Sequence, residues 1–390
     1  MNKILFISTN DWIPWGGSEE LWSQCANYIS TKYSGEIYVY ASVMEWNPVP
    51  FKIQNLLNTG VAVIYKIKNH QLPFYKRVIN KFIPANIKFV SNLNFHSPAL
   101  TLKPDLVIFS LGGHNESENI DITYCKTENI PYMLIVQLAS EANVKPDGKS
   151  YNTIRDNYLS AERVFFVSNQ NKAIVEEVIA NKILSSEIIS NPHPKLTNFD
   201  LPYPKTDKTF QLAFVASLSS NHKGHDTLFK VLSLPKWRDR NLEINLYGSG
   251  PHKEYLQELK KYFNLTSIIF QGQYESLDKL WAKNHGFILC SRMEGQSLAL
   301  LEALTYNRMC IVTKVGDAEN LIEDNVTGFL SETTTPNLID DVLERAWNRR
   351  FEWETIGKLA GEKYRQLNRE DPIVSFSEKV VSLCSQLKKN

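Results

Sequence analysis

Short apolar runs alternate with amphipathic helical patterns along the 390-residue chain. The runs are rich in Val, Ile, Phe and Tyr and nearly continuous, which is typical of parallel strands covered on both faces. Between the first two, Leu21, Cys25 and Ile29 recur at helical spacing and predict a helix over residues 19–33 with Ser18 as its cap. The predicted strands are residues 4–8, 36–41, 62–65, 106–110, 133–137, 164–168, 187–190, 211–216, 243–247, 267–271, 287–291 and 309–313.

A proline-rich polar stretch interrupts this alternation between Asn191 and Lys208. Successive strand–helix–strand patterns on both sides predict an α/β fold of two doubly wound, Rossmann-like domains facing a cleft. The predicted limits are an N-terminal domain at 1–195, a linker at 196–208, a C-terminal domain at 209–370 and a last helix at 371–390. We expect this helix to pack back toward the N-terminal domain.

Composition narrows the class of protein. Hydrophobic residues make up 43% of the chain and charged residues 22%, as in ordinary globular proteins, and the net charge of +1 gives no global attraction to nucleic acid or membrane. The five cysteines are scattered and form no disulfide or metal-binding pattern. The apolar run at residues 4–7 is too short for a signal-peptide core. We therefore expect a cytoplasmic protein.

One segment is locally basic. Between Asn47 and Pro104 there are eight Lys and Arg residues and no Asp or Glu, and aromatic side chains alternate with the basic ones across 66–89. Such a face suits an anionic membrane surface or a lipid-linked acceptor, single-stranded nucleic acid, or plain solvent. We favour peripheral contact with the inner membrane face over nucleic acid.

The strongest candidate for a chemical site is the stretch from Ser291 to Leu304. A predicted strand ends at Ser291, a loop follows, and a helix begins near Ser297, where the helix dipole favours an anionic phosphate. Glu302 follows Glu294 by eight residues, about 12 Å if the span were helical. Paired glutamates at such spacing are often only solvated, whereas carboxylates that flank a phosphate site can hold sugar hydroxyls.

This stretch resembles the E-x7-E region of the family-four retaining glycosyltransferases, and the similarity runs from about residue 211 to 330. The resemblance implies the GT-B fold, a nucleotide-sugar donor and no metal or other cofactor. It also implies that Glu302 binds the donor ribose and that Glu294 acts in catalysis on the transferred sugar. The loop residues near sugar and phosphate would be Gly295, Gln296, Ser297 and Leu298.

A second loop of the resembling region contains Lys223, which would neutralise the departing diphosphate. The family usually has an arginine where this chain has Ser217, and Arg292 is a candidate to compensate. Tyr274 follows another strand and is a candidate neighbour of the donor base. The Gly248-Ser249-Gly250 turn lacks the third glycine of a dinucleotide fingerprint, so a dehydrogenase is disfavoured.

Evidence from the N-terminal domain is thinner. Gly16 and Gly17 precede a helix, as in the family's loop near diphosphate and acceptor, although a tight turn is an equal explanation. The family's histidine position is occupied by Gln137. Gln137 could bind a sugar hydroxyl, while His114 and Glu141 are candidates for the role that the histidine has in the family.

The resemblance thus implies transfer of a hexosyl group, from a UDP-sugar by preference or a GDP-sugar, to a glycan or lipid-linked hydroxyl with retained configuration. Polysaccharide or lipopolysaccharide assembly is the expected setting. Two alternatives stay open, a nucleotide-sugar epimerase of the same architecture and a non-catalytic sugar-nucleotide binding protein. Ser217 and Gln137 favour the latter; Glu294, Glu302 and Lys223 oppose it.

Overall fold

The computed structural model describes residues 2–10, 15–41, 51–65, 97–141, 145–192, 194, 201–205, 209–367 and 370–387. The basic and aromatic segment 66–89 lies outside these ranges. Contacts divide the chain into two compact units, Met1–Asn191 with Pro372–Asn390, and Pro192–Asp371. Each unit has its own parallel sheet and core, as expected of two Rossmann-like domains.

Among the described residues, the first unit has a seven-stranded sheet in the order β3-β2-β1-β4-β5-β6-β7, and the second a six-stranded sheet in the order β10-β9-β8-β11-β12-β13. Both orders are those of doubly wound folds, in which ligands collect beyond the carboxyl ends of the strands. The strands are β1 (Asn2–Ser8), β2 (Gly35–Ala41), β3 (Ala62–Tyr65), β4 (Leu106–Leu111), β5 (Tyr132–Val136), β6 (Arg163–Phe166), β7 (Ser186–Ile188), β8 (Phe210–Val215), β9 (Leu242–Tyr247), β10 (Ile268–Gly272), β11 (Gly286–Leu289), β12 (Met309–Thr313) and β13 (Phe329–Ser331).

Helices connect the strands and cover the sheets. They are α1 (Gly17–Lys32), α2 (Phe51–Asn58), α3 (Ile120–Thr127), α4 (Gly148–Leu159), α5 (Asn169–Val178), α6 (Ser220–Lys223), α7 (His225–Leu232), α8 (Pro235–Arg238), α9 (Lys253–Tyr262), α10 (Leu277–Lys283), α11 (Leu298–Thr305), α12 (Ala318–Leu321), α13 (Pro336–Asn348), α14 (Trp353–Leu367) and α15 (Pro372–Leu387). Short 3-10 turns occur at Pro98–Leu102, His114–Glu118 and Arg350–Glu352.

Alternate residues of β1 serve two cores on opposite faces of the first sheet. Ile4 and Phe6 pack with α1 and α15, whereas Leu5 and Ile7 pack on the other face. Each residue of β4 and β5 is buried, because helices cover both faces and no strand position meets water. This explains why the strands are continuous apolar runs in the sequence.

The last helix, α15, belongs to the first unit. The Phe376 ring meets Phe165 edge-on, with centroids 5.0 Å apart, and Ser377 Oγ donates to Cys25 Sγ at 3.3 Å. Phe376 is fully buried, so its burial contributes about 1.5–3 kcal/mol. These contacts anchor the C-terminal segment on the sheet of the first unit.

The structure has a strand at each of the predicted positions, within two residues at either end. It adds β13, which at Phe329–Ser331 is too short for its periodicity to be recognised. The predicted cap of α1 was wrong, because the helix begins earlier, with Gly16 at the N-cap and Ser18 inside the first turn. In the described part of the chain, no helix combines the length and apolar character needed to cross a bilayer.

Candidate functional site

The loop between β11 and α11 (residues 290–297) begins the candidate site in the second unit, and we call it the donor loop after the role that the resemblance implies for it. Ser297 is the N-cap of α11, and its side chain accepts from the backbone N–H of Leu300, so the predicted start of this helix is confirmed. The aligned peptide dipoles make this end of α11 electropositive. Leu298 is the first residue of the helix.

Glu294 is held in the donor loop by two donors on one oxygen. Ser291 Oγ donates to Glu294 Oε1 at 2.6 Å, and Lys223 Nζ lies 2.6 Å from the same atom. The side chains of Lys223 and Glu294 are 22% and 12% exposed, so the pair is largely desolvated. The structure therefore brings together the carboxylate predicted to contact the sugar and the cation predicted to contact the phosphate.

Gly224 accounts for the position of Lys223. It has a φ of +70°, and a Cβ atom added there would lie 2.0 Å from the carbonyl oxygen of Cys290 and 2.8 Å from Thr334 Cγ2. Since only glycine tolerates both the left-handed backbone and this approach, the turn after α6 packs directly against the end of β11. Lys223, one residue earlier, is thereby placed beside Glu294.

Arg292 braces the same turn. Its Nη1 and Nη2 donate to Asp226 Oδ1 and Oδ2 at 3.0 and 2.9 Å, and Nη1 also donates to the Ser220 carbonyl at 2.6 Å. Burial opposes ionisation of Asp226, but the hydrogen bonds from Arg292 and Ser220 hold its pKa below the usual value. The guanidinium is thus engaged by a carboxylate, so the suggested compensation for Ser217 by Arg292 has no support in this geometry.

Ser217 itself is exposed and follows β8. The backbone around it packs on the turn after β9, because a Cβ at Gly248 would lie 2.0 Å from the Ala216 carbonyl and one at Gly250 2.7 Å from the Leu218 nitrogen. Both glycines are therefore needed for close packing of two loops. The interpretation of this turn as structural, rather than as a dinucleotide site, agrees with these contacts.

Glu302 lies half-buried in α11, five residues after the cap, about 7.5 Å along the helix axis. Glu294 lies outside the helix, so the two glutamates are joined by a loop and then by helix rather than by one continuous helical span. Tyr274 follows β10, is 39% exposed and packs edge-on against Tyr247 with centroids 6.5 Å apart.

Asp317, on the loop between β12 and α12, escaped the sequence analysis. Its Oδ2 accepts from Gln296 Nε2 at 2.8 Å and its Oδ1 from Asn320 Nδ2 at 2.7 Å. Burial raises the pKa of Asp317. Together with Ser291, Glu294 and Ser297 it lines a small cavity in the second unit. The adjacent Gly316-Asp317 pair in the family-like stretch is the only sequence feature that could have directed attention here.

In the first unit, Gly16 and Gly17 form the start of α1, directly before a buried carboxylate that sequence reasoning missed. Glu19 is 5% exposed; Trp22 Nε1 donates to its Oε2 at 2.9 Å and Ser18 Oγ to its Oε1 at 3.1 Å. Burial raises the pKa of Glu19 against the effect of these hydrogen bonds. A polar network therefore holds the helix start that the sequence predicted to face a ligand.

His114 and Gln137 follow the neighbouring strands β4 and β5 at the carboxyl edge of the first sheet. They are 1% and 6% exposed. His114 Nδ1 and Gln137 Nε2 have no hydrogen-bond partner among the described residues. Burial, aided by the charge of Lys145, lowers the pKa of His114 to about 4, so its imidazole is neutral near pH 7. Glu141 is exposed in the loop that follows Gln137.

No metal-binding group of three or more His, Cys, Asp or Glu side chains occurs within the ranges that the structure describes. The polar groups assembled at the donor loop are instead one ammonium, two carboxylates, two serine hydroxyls and a helix N-terminus. This arrangement can bind a ligand that carries both hydroxyl groups and negative charge.

Comparison with known proteins identifies a family model that matches the second unit and relatives of the chain. Residues 209–348 match the family model described as Glycosyl transferases group 1. N-acetyl-alpha-D-glucosaminyl L-malate synthase of Bacillus anthracis is 28% identical over 140 residues, 35% of this chain and 36% of that protein. An uncharacterized glycosyltransferase of Methanocaldococcus jannaschii is 22% identical over 245 residues, 62% of this chain and 64% of the relative. The alignments thus span between about a third and two thirds of these curated relatives.

Solved structures extend the likeness to the whole chain. HepE from Anabaena, crystallised with UDP and with UDP-glucose, gives a TM-score of 0.68 in both structures at 15% and 14% identity, covering 98% of this chain and 100% and 99% of HepE. At this identity the likeness shows the fold alone. The GT-B fold predicted from the sequence is confirmed.

Proposed function

We propose that the chain is a retaining, metal-independent glycosyltransferase, because residues 209–348 match the family model described as Glycosyl transferases group 1. It transfers a hexosyl group from a nucleotide sugar to the hydroxyl of a glycan or lipid-linked acceptor. The donor occupies the second unit, along the donor loop and α11.

The observation that carries this proposal is the 2.6 Å contact between Lys223 Nζ and Glu294 Oε1. In a sugar nucleotide, a single oxygen joins the hexose to the adjacent phosphate of the diphosphate. The protein groups that bind the hexose and this phosphate must therefore be neighbours. Glu294 accepts hydrogen bonds from the hexose hydroxyls, and Lys223 donates to the diphosphate. Glu302, deeper along α11, accepts from the ribose hydroxyls.

The chemistry follows from these positions. The acceptor oxygen forms a bond to the anomeric carbon while the bond from that carbon to the phosphate oxygen breaks. The departing phosphate oxygen takes the proton of the acceptor hydroxyl on the same face, which retains the configuration. Lys223 and the N-terminus of α11 stabilise the charge that develops on the leaving diphosphate.

UDP is the preferred nucleotide in this proposal. The structural neighbour HepE was crystallised with UDP and UDP-glucose, although it shares only about a seventh of its residues with this chain. Tyr274 is 39% exposed and offers an aromatic ring for the base, and an aromatic ring stacks on uracil and guanine alike. A GDP-sugar is the alternative donor.

The first unit supplies the acceptor side in the proposal. Gly16, Gly17, His114 and Gln137 lie at the carboxyl ends of its strands, and the buried polar atoms of His114 and Gln137 suit hydroxyl groups. The basic and aromatic segment 66–89 is assigned to peripheral membrane contact, consistent with a lipid-linked acceptor and a cytoplasmic enzyme.

A non-catalytic sugar-nucleotide binding protein is the second candidate. Its support is that Ser217 replaces the family's arginine while the guanidinium of Arg292 is bound to Asp226. In this candidate, the diphosphate is bound by Lys223 and the N-terminus of α11, without help from an arginine. Such a protein would bind the donor without releasing nucleotide in any acceptor mixture, and an epimerase would convert the donor with no acceptor present.

Thermal shifts with UDP-, GDP- and ADP-sugars test the donor site. At a ligand concentration of about 100 times Kd, binding stabilises the native protein by about 2.7 kcal/mol. We expect a shift with one nucleotide class that Glu302→Ala abolishes. Glu258→Ala serves as the matched control, because Glu258 is 71% exposed on α9 and its ion-pair partner among the described residues is Lys261, three positions later.

Failure of all nucleotide sugars to shift folded wild-type protein would reject the donor site. If binding is found, nucleotide release with mixed glycan and lipid-linked acceptors separates the enzyme from the non-catalytic candidate. Conversion of the donor sugar in the absence of acceptor would identify the epimerase instead.

A further inference from the structure

We propose that Asp317 is a positioning residue that sets the conformation of the donor loop through Gln296, and thereby the rate of sugar transfer. The inference rests on the proposed function. Within the described ranges, the side chains that donate to the Asp317 carboxylate are Gln296 and Asn320 rather than Lys223, so Asp317 acts through the loop that carries Glu294.

The side-chain contact is specific. Gln296 is 8% exposed, and its amide nitrogen donates to Asp317 Oδ2 at 2.8 Å. An ionised carboxylate only accepts hydrogen bonds, so it dictates which end of the Gln296 amide faces it. Asn320 Nδ2 donates to the other oxygen at 2.7 Å and fixes the Asp317 carboxylate in turn. The rotamer of Gln296, one residue before the cap of α11, is therefore imposed from outside the donor loop.

The backbone next to Asp317 supports the same loop. Gly316 has a φ of +65°, and a Cβ there would lie 2.1 Å from the carbonyl oxygen of Gly295 and 2.8 Å from that of Glu294. The loop after β12 therefore packs directly against the backbone at Glu294 while Asp317 holds Gln296. Two neighbouring residues thus restrain three consecutive positions of the donor loop.

Asp317 also shares a cavity with Glu294, the carboxylate proposed to bind the hexose. Glu294, Ser291 and Ser297 line it together with Asp317, so a shift of the donor loop or of Asp317 would change the space next to the Glu294 carboxylate. Because a misplacement of about 1 Å in a positioned group costs about a hundredfold in rate, small changes in this loop are expected to be visible in turnover.

Steady-state kinetics with a UDP-sugar test the proposal in four proteins: wild type, Asp317→Ala, Gln296→Ala and the double variant. We expect each single change to lower kcat/KM about tenfold or more, and the double variant to match the worse single one. Asp317→Asn retains one carbonyl acceptor and should recover part of the loss. If the losses in kcat/KM of the two single variants multiply in the double variant, then Asp317 does not act through Gln296 and the proposal is overturned.

A control separates positioning from stability. Asp324→Ala removes hydrogen bonds to the Leu330 nitrogen at 2.8 Å and to Arg345 at 2.9 Å, so it should lower Tm. It should leave kcat/KM within twofold of wild type. If Asp317→Ala behaves like Asp324→Ala, with a lower Tm and unchanged kcat/KM, then Asp317 is merely structural.

Amide hydrogen exchange keeps this test independent of the proposed function. Asp317→Ala should increase exchange in the peptide spanning residues 290–301, and Asp324→Ala should not. Unchanged protection of that peptide overturns the inference whether or not the protein transfers sugar. Increased exchange in a protein that binds no nucleotide sugar would instead reject the proposed function and leave the loop contact standing.

Discussion

The ammonium group of Lys223 and the carboxylate of Glu294 form a 2.6 Å ion pair between residues 71 positions apart in the chain. Both side chains are largely buried, so removing either partner leaves the other charge poorly solvated. In the proposed function the two groups serve adjacent parts of the donor. Donor binding would then exchange the contact between them for contacts to the diphosphate and the hexose.

Lys223→Ala should lower kcat/KM by about 10²–10³-fold, the usual cost of losing one preorganised group at a developing charge. Nucleotide release at saturating acceptor is the measurement. Lys279→Ala is the control, because Lys279 is 73% exposed and its ion-pair partner among the described residues is Glu275, four positions earlier in the chain. A change in kcat/KM of less than twofold in the Lys223 variant would show that this ammonium does not stabilise the leaving diphosphate.

Gly224→Ala should destabilise the second unit more than Gly272→Ala does. Both glycines have positive φ, +70° and +75°, so both variants acquire backbone strain of about 1–3 kcal/mol. An added Cβ at Gly224 meets the Cys290 carbonyl at 2.0 Å, whereas nothing lies within 4 Å at Gly272. Thermal melts of the two variants measure the difference, and equal losses would mean that the close packing against β11 is unimportant.

Arg292→Ala and Asp226→Ala should reduce stability by similar amounts, with little further loss in the double variant. The reason is that Arg292 and Asp226 form a bidentate ion pair, with N–O distances of 3.0 and 2.9 Å. Once one partner is removed, the other has little left to lose. Urea denaturation of wild type, the two single variants and the double variant gives the coupling free energy between the two side chains. If Arg292→Ala abolished donor binding while Asp226→Ala left it intact, Arg292 would be a phosphate ligand instead.

The second unit should become less stable as the pH falls below about 6.5, owing in part to His225. This residue is fully buried against Phe214, with ring centroids 4.3 Å apart, and burial lowers its pKa to about 3. The unfolded chain therefore binds a proton that the native state excludes, at a cost of about 2 kcal/mol at pH 5. The stability contributed by neutral His225 continues to fall with pH until the pH reaches the native-state pKa of His225.

His225→Phe removes this titration and keeps an aromatic ring at the site. The drop in Tm between pH 7.5 and pH 5 should be smaller in the variant than in wild type. His114, whose pKa burial also lowers, titrates equally in both proteins and cancels in the comparison. An identical drop in the two proteins would contradict the assignment.

The local pattern of the chain was sufficient to predict most elements of both sheets and the loops that follow them. Continuous apolar runs mark buried parallel strands regardless of which neighbours they pair with. The donor loop was likewise evident, since the residues 291–304 carry the capped helix start and both glutamates within one short stretch. Such features depend on residues close together in the chain.

The tertiary structure alone decided which distant residues meet. Lys223 follows β8 and Glu294 follows β11, and they touch because these two strands are neighbours in the sheet, an order that apolar periodicity does not specify. The engagement of Arg292 by Asp226 and of Gln296 by Asp317 depends on loop packing that a single Cβ would prevent at Gly224 or Gly316. Contacts of this kind are set by close packing between segments far apart in sequence, which leaves no local pattern to recognise.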